Sequence, residues 1–116
     1  MNVRRPNISA NKTDLADLLL LQLRAMHLPA PVREHQALEG RRFRCDLAWL
    51  EAKICVEVDG GDLMLGRHSR AQGMASDCEK QNLLTLAGWR CYRFTGSQVK
   101  SGAAIAFLQR LFGVTA

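Results

Sequence analysis

Residues 43–61 read FRCDLAWLEAKICVEVDGG, and the reading of this stretch decides the fold. In its first half Arg42, Arg44 and Asp46 alternate with Phe43, Cys45 and Leu47; in its second, Ile54, Val56 and Val58 alternate with Cys55, Glu57 and Asp59. A period of two is that of a strand. Two such segments joined by a tight connection predict an antiparallel hairpin. With the hairpin centred near Glu51 and Ala52, Asp46 stands directly opposite Glu57, with α-carbons about 5 Å apart, and Asp59 lies one pair further along. Three carboxylates then share one side of one sheet.

Like charges set opposite each other destabilise a strand pair and raise one another's pKa, so such a grouping calls for a cation. Mg²⁺ takes oxygen ligands from one or two carboxylates and leaves its other positions to water and phosphate. The plainer alternative pairs Asp46 with Arg42 or Arg44 and leaves Glu57 and Asp59 at an exposed strand end before Gly60-Gly61. The residues alone leave both readings open.

Outward from the hairpin, 116 residues suffice for one domain with one core. An apolar content of 47% with 23% charged residues is globular composition and excludes a disordered chain. Sixteen basic residues against eleven acidic ones give a net charge of +5. That surplus favours an anionic partner, nucleic acid first. The longest apolar run, near Leu18 to Leu21, is too short to span a bilayer, and no leader pattern opens the chain; a soluble, cytoplasmic protein without a membrane partner is expected. Cys45, Cys55, Cys78 and Cys91 lack C-x-x-C spacing, and three of them sit in apolar strand segments. They read as small buried hydrophobes with reduced thiols.

The first twelve residues, with Arg4, Arg5 and Pro6, predict a loose basic arm, and residues 13–116 a single domain. From Thr13, a plausible N-cap, Leu15, Leu18, Leu19, Leu23 and Met26 recur at helical spacing until Leu28 and Pro29 stop the pattern. A strand from about Val32 to Leu38 carries Glu34, and Glu39-Gly40 turns the chain back toward the hairpin. Residues 61–75, with glycines at 61, 66 and 73, predict mostly loop with room for a helical turn inside, carrying Arg67, His68 and Arg70. Ser76 followed by Glu79 fits a capping box for a second helix, with Asp77 in its first turn and Gly88 at its end. Trp89 to Phe94 reads as a strand. Thr95 or Ser97 opens a last helix, its core face expected from Val99, Ala103, Ala106, Phe107, Leu108 and Leu111. The order α-β-β-β-α-β-α, with antiparallel strands first and the last reached through a helix, predicts an α/β fold with a mixed central sheet flanked by helices on both faces.

This order, with RFRCDLAW in the second strand, KICVEVDGG in the third, then GRHSRAQG, DCEKQN and GWRCYRFT, resembles the PD-(D/E)XK nuclease superfamily and its restriction-endonuclease-like core. The likeness is nearest to the branch holding the very-short-patch repair endonucleases and the phage homing endonucleases of the EDxHD type. It runs from about Thr13 to Leu111. The resemblance implies an Mg²⁺- or Mn²⁺-dependent endodeoxyribonuclease, acting in phage recombination, repair or DNA processing. By the same likeness Asp46 is the metal-binding Asp, Glu57 the first acid of D/E-x-K, and Glu34 and Asp77 the flanking acids. Position 59 departs from the pattern: Lys or His is expected there, and Asp59 would be an added metal ligand or the group that aligns the water. The missing cation would come from Lys80, one turn past Asp77, and His68 would move a proton.

Arg42, Arg44, Arg67 and Arg70 are the candidates for tracking phosphates. A chain this short has no separate recognition domain, so sequence specificity would be modest, borne by loops, supplied by a partner or gained by homodimerisation. The competing expectation is a nuclease fold that lost the lysine of D/E-x-K and only binds nucleic acid.

Overall fold

The computed structural model describes residues 12–59 and 67–113, with the side chains of 14–59 and 73–113. Residues 1–11 of the predicted amino-terminal arm and the segment 60–66 lie outside the described residues. The chain runs α1 (Lys12–Ala25), β1 (Val32–His35), β2 (Cys45–Trp49), β3 (Ile54–Asp59), α2 (Arg67–Leu86), β4 (Arg90–Thr95), α3 (Gly96–Ser101) and α4 (Ala103–Leu111). The four strands form one sheet in the order β1-β2-β3-β4. β1 to β3 pair antiparallel, and β4, reached through α2, runs parallel to β3. This is the expected α/β class with a mixed sheet.

Each face of the sheet is covered by a different set of helices. Leu15, Leu19 and Leu23, spaced four apart on α1, pack with Leu47, Trp49, Ile54, Val56 and Val58 and with Val99, Ile105 and Leu108 of α3 and α4. On the other face Leu84 of α2 meets Cys45, Ala48, Cys55 and Trp89. Helices α1 and α2 end in the same way. His27 (φ 57) and Gly88 (φ 93) adopt the left-handed conformation. The next amides, Leu28 and Trp89, reach back to Leu23 O (3.0 Å) and Leu84 O (2.9 Å), and both side chains are buried. This is a Schellman closure with its apolar clasp. Among the described residues no helix is long and apolar enough to cross a membrane.

Several expectations need correction. Helix α1 begins at Lys12, one residue inside the predicted arm, and β1 stops at His35, three residues before Leu38. Residues 67–75, expected to be mostly loop with at most a helical turn, are helical throughout, and α2 runs unbroken through Ser76. Ser76 and Glu79 therefore form no capping box: S-x-x-E marks a helix start only where the preceding residues leave the helix. Glu79 instead pairs with Arg41. The single last helix is two, because Gly102 takes φ 89 and closes α3 before α4 begins. That break rotates the second half, so Ala104, Ile105 and Leu108 face the core while Ala103, Ala106 and Phe107 are exposed. Thr95 is the N-cap, in a capping box with Gln98.

The cysteines also differ from the expectation of four reduced thiols. Cys45 and Cys55 form a disulfide, with α-carbons 5.7 Å apart, within the range such a bridge requires. Strand alternation fails at Cys45, which packs with Ala48 and Cys55 instead of sharing the Leu47 face. The β1–β2 ladder is irregular at the same place: it pairs Arg33 with Leu47 and His35 with Cys45 but omits Glu34 with Asp46, and Glu34 has φ 52. Cys78 (exposed) and Cys91 (half-buried) keep their thiols.

Candidate functional site

The β2–β3 register sets Leu47 against Val56, Ala48 against Cys55 and Trp49 against Ile54. The ladder ends at the Leu47–Val56 pair, so the expected pairing of Asp46 with Glu57 is not part of it; Asp46 reaches β3 through the Val58 amide. Both acids are buried, at 2% and 8% exposure, in a sheet whose other central residues are apolar. Buried charges persist only when hydrogen-bonded or paired, and each acid is. Asp46 Oδ2 accepts the Val58 amide at 2.7 Å, which anchors the carboxylate to the neighbouring strand. Glu57 is ion-paired with the Lys80 ammonium, and both side chains are largely shielded from solvent.

Lys80 comes from α2, across the face on which Leu84 fixes that helix to the sheet. Its Nζ also donates to the Arg44 carbonyl at 2.7 Å, so one cation ties β3, α2 and the segment leading into β2. Beside it opens a cavity of about 310 Å³. Asp46 and Lys80 line it together with Glu34, Arg33, Arg42 and Arg44. The left-handed backbone at Glu34, rare for a residue with a side chain, sits on this wall.

The expected site residues thus separate into groups. Asp46, Glu57, Lys80, Glu34, Arg42 and Arg44 gather at the cavity and its margin. Asp59 and Asp77 do not line it; both bind Arg93, Asp59 through two contacts of 2.9 and 3.1 Å and Asp77 through one of 3.3 Å. The hydrogen bonds that Arg93 donates to Asp59 raise its already high pKa, against a smaller opposing effect of burial. Asp59 therefore has a charge partner of its own beyond the end of the pairing with β2. His68, Arg67 and Arg70 belong to the first turn of α2, and their side chains lie outside the described residues. Among the described residues no three His, Cys, Asp or Glu side chains converge in the manner of a metal cage.

Two features of the site were missed from the sequence. Arg33, a cavity wall residue paired with Asp17 at 2.5 Å, was not singled out, although its neighbour Glu34 was. The Cys45–Cys55 bridge, one residue from Asp46 and two from Glu57, had no signal in cysteine spacing. Cys91 belongs to the same cluster: burial pushes its thiol above the ordinary value, partly offset by the nearby charge of Lys80. No protein-family model, curated protein or solved structure matches the chain.

Proposed function

We propose that the protein is a metal-dependent DNA endonuclease built on a restriction-endonuclease-like core. The observation that supports this reading most directly is the meeting of Asp46, Glu57 and Lys80, drawn from β2, β3 and α2, beside a cavity rimmed by Arg42 and Arg44. Two buried carboxylates beside a half-buried ammonium are costly unless used, and phosphodiester hydrolysis uses both charges.

The donor set fits Mg²⁺ or Mn²⁺. Asp46 and Glu57 would hold the ion, and water with substrate phosphate would fill the rest of its shell. Such an ion lowers the pKa of bound water and stabilises charge on phosphorus oxygens. Lys80, already placed against Glu57, would exchange that partner for a phosphate oxygen and steady the leaving group. Arg42 and Arg44 would neutralise the flanking phosphates. Asp59, held by Arg93, takes no part in this scheme; the cation missing from position 59 is supplied by Lys80.

The test is nicking of supercoiled plasmid with Mg²⁺ or Mn²⁺. The wild-type chain is expected to nick, and Asp46→Ala, Glu57→Ala and Lys80→Ala to lose activity by at least about a hundredfold while staying folded. A second reading rests on Asp59 occupying the lysine position: a domain that binds nucleic acid without cutting it. Salt-dependent DNA binding with no cleavage in either metal would establish that reading and end the first.

A further inference from the structure

Three cysteines from three adjacent strands belong to one packed cluster. Cys45 begins β2, Cys55 lies in β3 two residues before Glu57, and Cys91 lies in β4. Cys55 is bridged to Cys45 and is the register partner of Cys91 in the parallel β3–β4 ladder. Register partners direct their side chains to the same face, with strands about 4.8 Å apart, a spacing within the reach of a disulfide. Cys91 packs against the cluster that holds both bridged sulfurs, and its own sulfur is a thiol.

We propose that Cys55 is a shared sulfur and that the bridge moves between Cys45 and Cys91. The Cys91 thiolate attacks Cys55 Sγ; a Cys55–Cys91 bond forms as the Cys45–Cys55 bond breaks. The electron pair leaves on Cys45 Sγ, which takes up the proton that Cys91 gave away. One disulfide and one thiol stand on each side, so no outside oxidant or reductant is consumed. The burial that holds the Cys91 thiol protonated makes the exchange slow, and the Lys80 charge opposes that effect.

The exchange acts on the candidate site through residue 45. With Cys45 bridged, the start of β2 is fastened to β3 where Asp46 accepts the Val58 amide and where the Arg44 carbonyl holds Lys80. With the bridge on Cys91, that segment loses its covalent tie, and β3 is tied to β4 instead. The consequence for catalysis rests on the nuclease reading; the exchange itself does not.

The full-length chain carrying Cys78→Ser, which removes the exposed thiol, is equilibrated in mixed reduced and oxidised glutathione, quenched with acid and alkylated. Trypsin then separates the three cysteines into residues 45–53, 54–67 and 91–93, so each bridge gives its own pair of joined peptides. Both 45–55 and 55–91 pairs are expected, and only the first after Cys91→Ser. Cys45→Ser is expected to oxidise to the 55–91 bridge. The Val58 amide is expected to exchange its hydrogen at least about tenfold faster in Cys45→Ser than in Cys91→Ser. Recovery of the 45–55 pair alone, or a Cys45→Ser chain that leaves Cys55 and Cys91 unjoined, overturns the proposal. Plasmid nicking is scored separately: both bridges in a chain that never cuts DNA would defeat the nuclease reading only, and a cutting chain with an immobile bridge would defeat this one only.

Discussion

The Lys80 ammonium of α2 is ion-paired with the Glu57 carboxylate of β3, and both side chains are largely withdrawn from water. The two residues are 23 positions apart and meet because α2 crosses back over the sheet. A pair in this position is held by mutual attraction against the desolvation of both charges.

Removing one partner should therefore cost more than removing both. Lys80→Met is expected to lower unfolding stability by about 3 kcal/mol, because Glu57 is left charged in a poorly solvated place. Adding Glu57→Gln should recover most of that loss. Chemical denaturation of the two single variants and the double variant gives the coupling; additive losses would show that the pair is not interdependent.

Asp46 carries a structural duty besides any chemical one. Asp46→Ala strands the buried Val58 amide and should cost about 1–3 kcal/mol. Asp46→Asn keeps an acceptor oxygen and should cost less than half as much. Both should abolish metal-dependent nicking, since an amide is a poor Mg²⁺ ligand. An Asp46→Asn chain that cuts at the wild-type rate would remove Asp46 from the metal site.

Cys91 makes stability depend on alkaline pH. Its folded pKa is raised by burial, so the folded chain keeps the proton where the unfolded chain has lost it. The resulting stabilisation is complete below the ordinary thiol pKa and is lost as pH rises through the raised value. Relative to Cys91→Ser, the wild-type chain should lose stability above that ordinary value, and the pH midpoint for Cys91 alkylation should exceed that of a free cysteine.

Arg42 and Arg44 are exposed and line the cavity, and among the described residues neither has a carboxylate contact of the kind that occupies Arg41 and Arg93. Each Arg→Ala change should weaken DNA binding uniformly across sequences and reduce the slope of log affinity against log salt by about 1. Arg93→Ala, whose charge is already matched by Asp59 and Asp77, should leave that slope unchanged. Fluorescence anisotropy over a salt series measures both.

Gly102 separates α3 from α4 at φ 89, in open space. Gly102→Ala meets no neighbour, so its cost is the backbone penalty alone, about 1 kcal/mol. A thermal melt decides this, and a neutral result would mean that the break between the helices relaxes.

What the sequence alone determined is what local periodicity and local chemistry dictate. The alternation in residues 43–61 fixed the hairpin, and its centre fixed Ala48 opposite Cys55 and Leu47 opposite Val56, because in an antiparallel pair the turn sets the register pairs nearest it. Thr95 as a cap and Gly88 as a helix end were legible for the same reason: each depends on residues within one turn. The start of α2 was misread because interior glycines and an S-x-x-E spacing imitate a loop and a cap, and the break at Gly102 went unseen because its neighbours are good helix formers.

Only the tertiary structure decided which charges share partners. Asp59 was expected beside the other acids, yet β4 brings Arg93 to it, and a parallel neighbour reached through a long helix leaves no trace in the local pattern. The disulfide escaped notice likewise, since the irregularity opposite Glu34 that accompanies the turning of Cys45 toward Cys55 belongs to the pairing of two strands and to neither strand by itself.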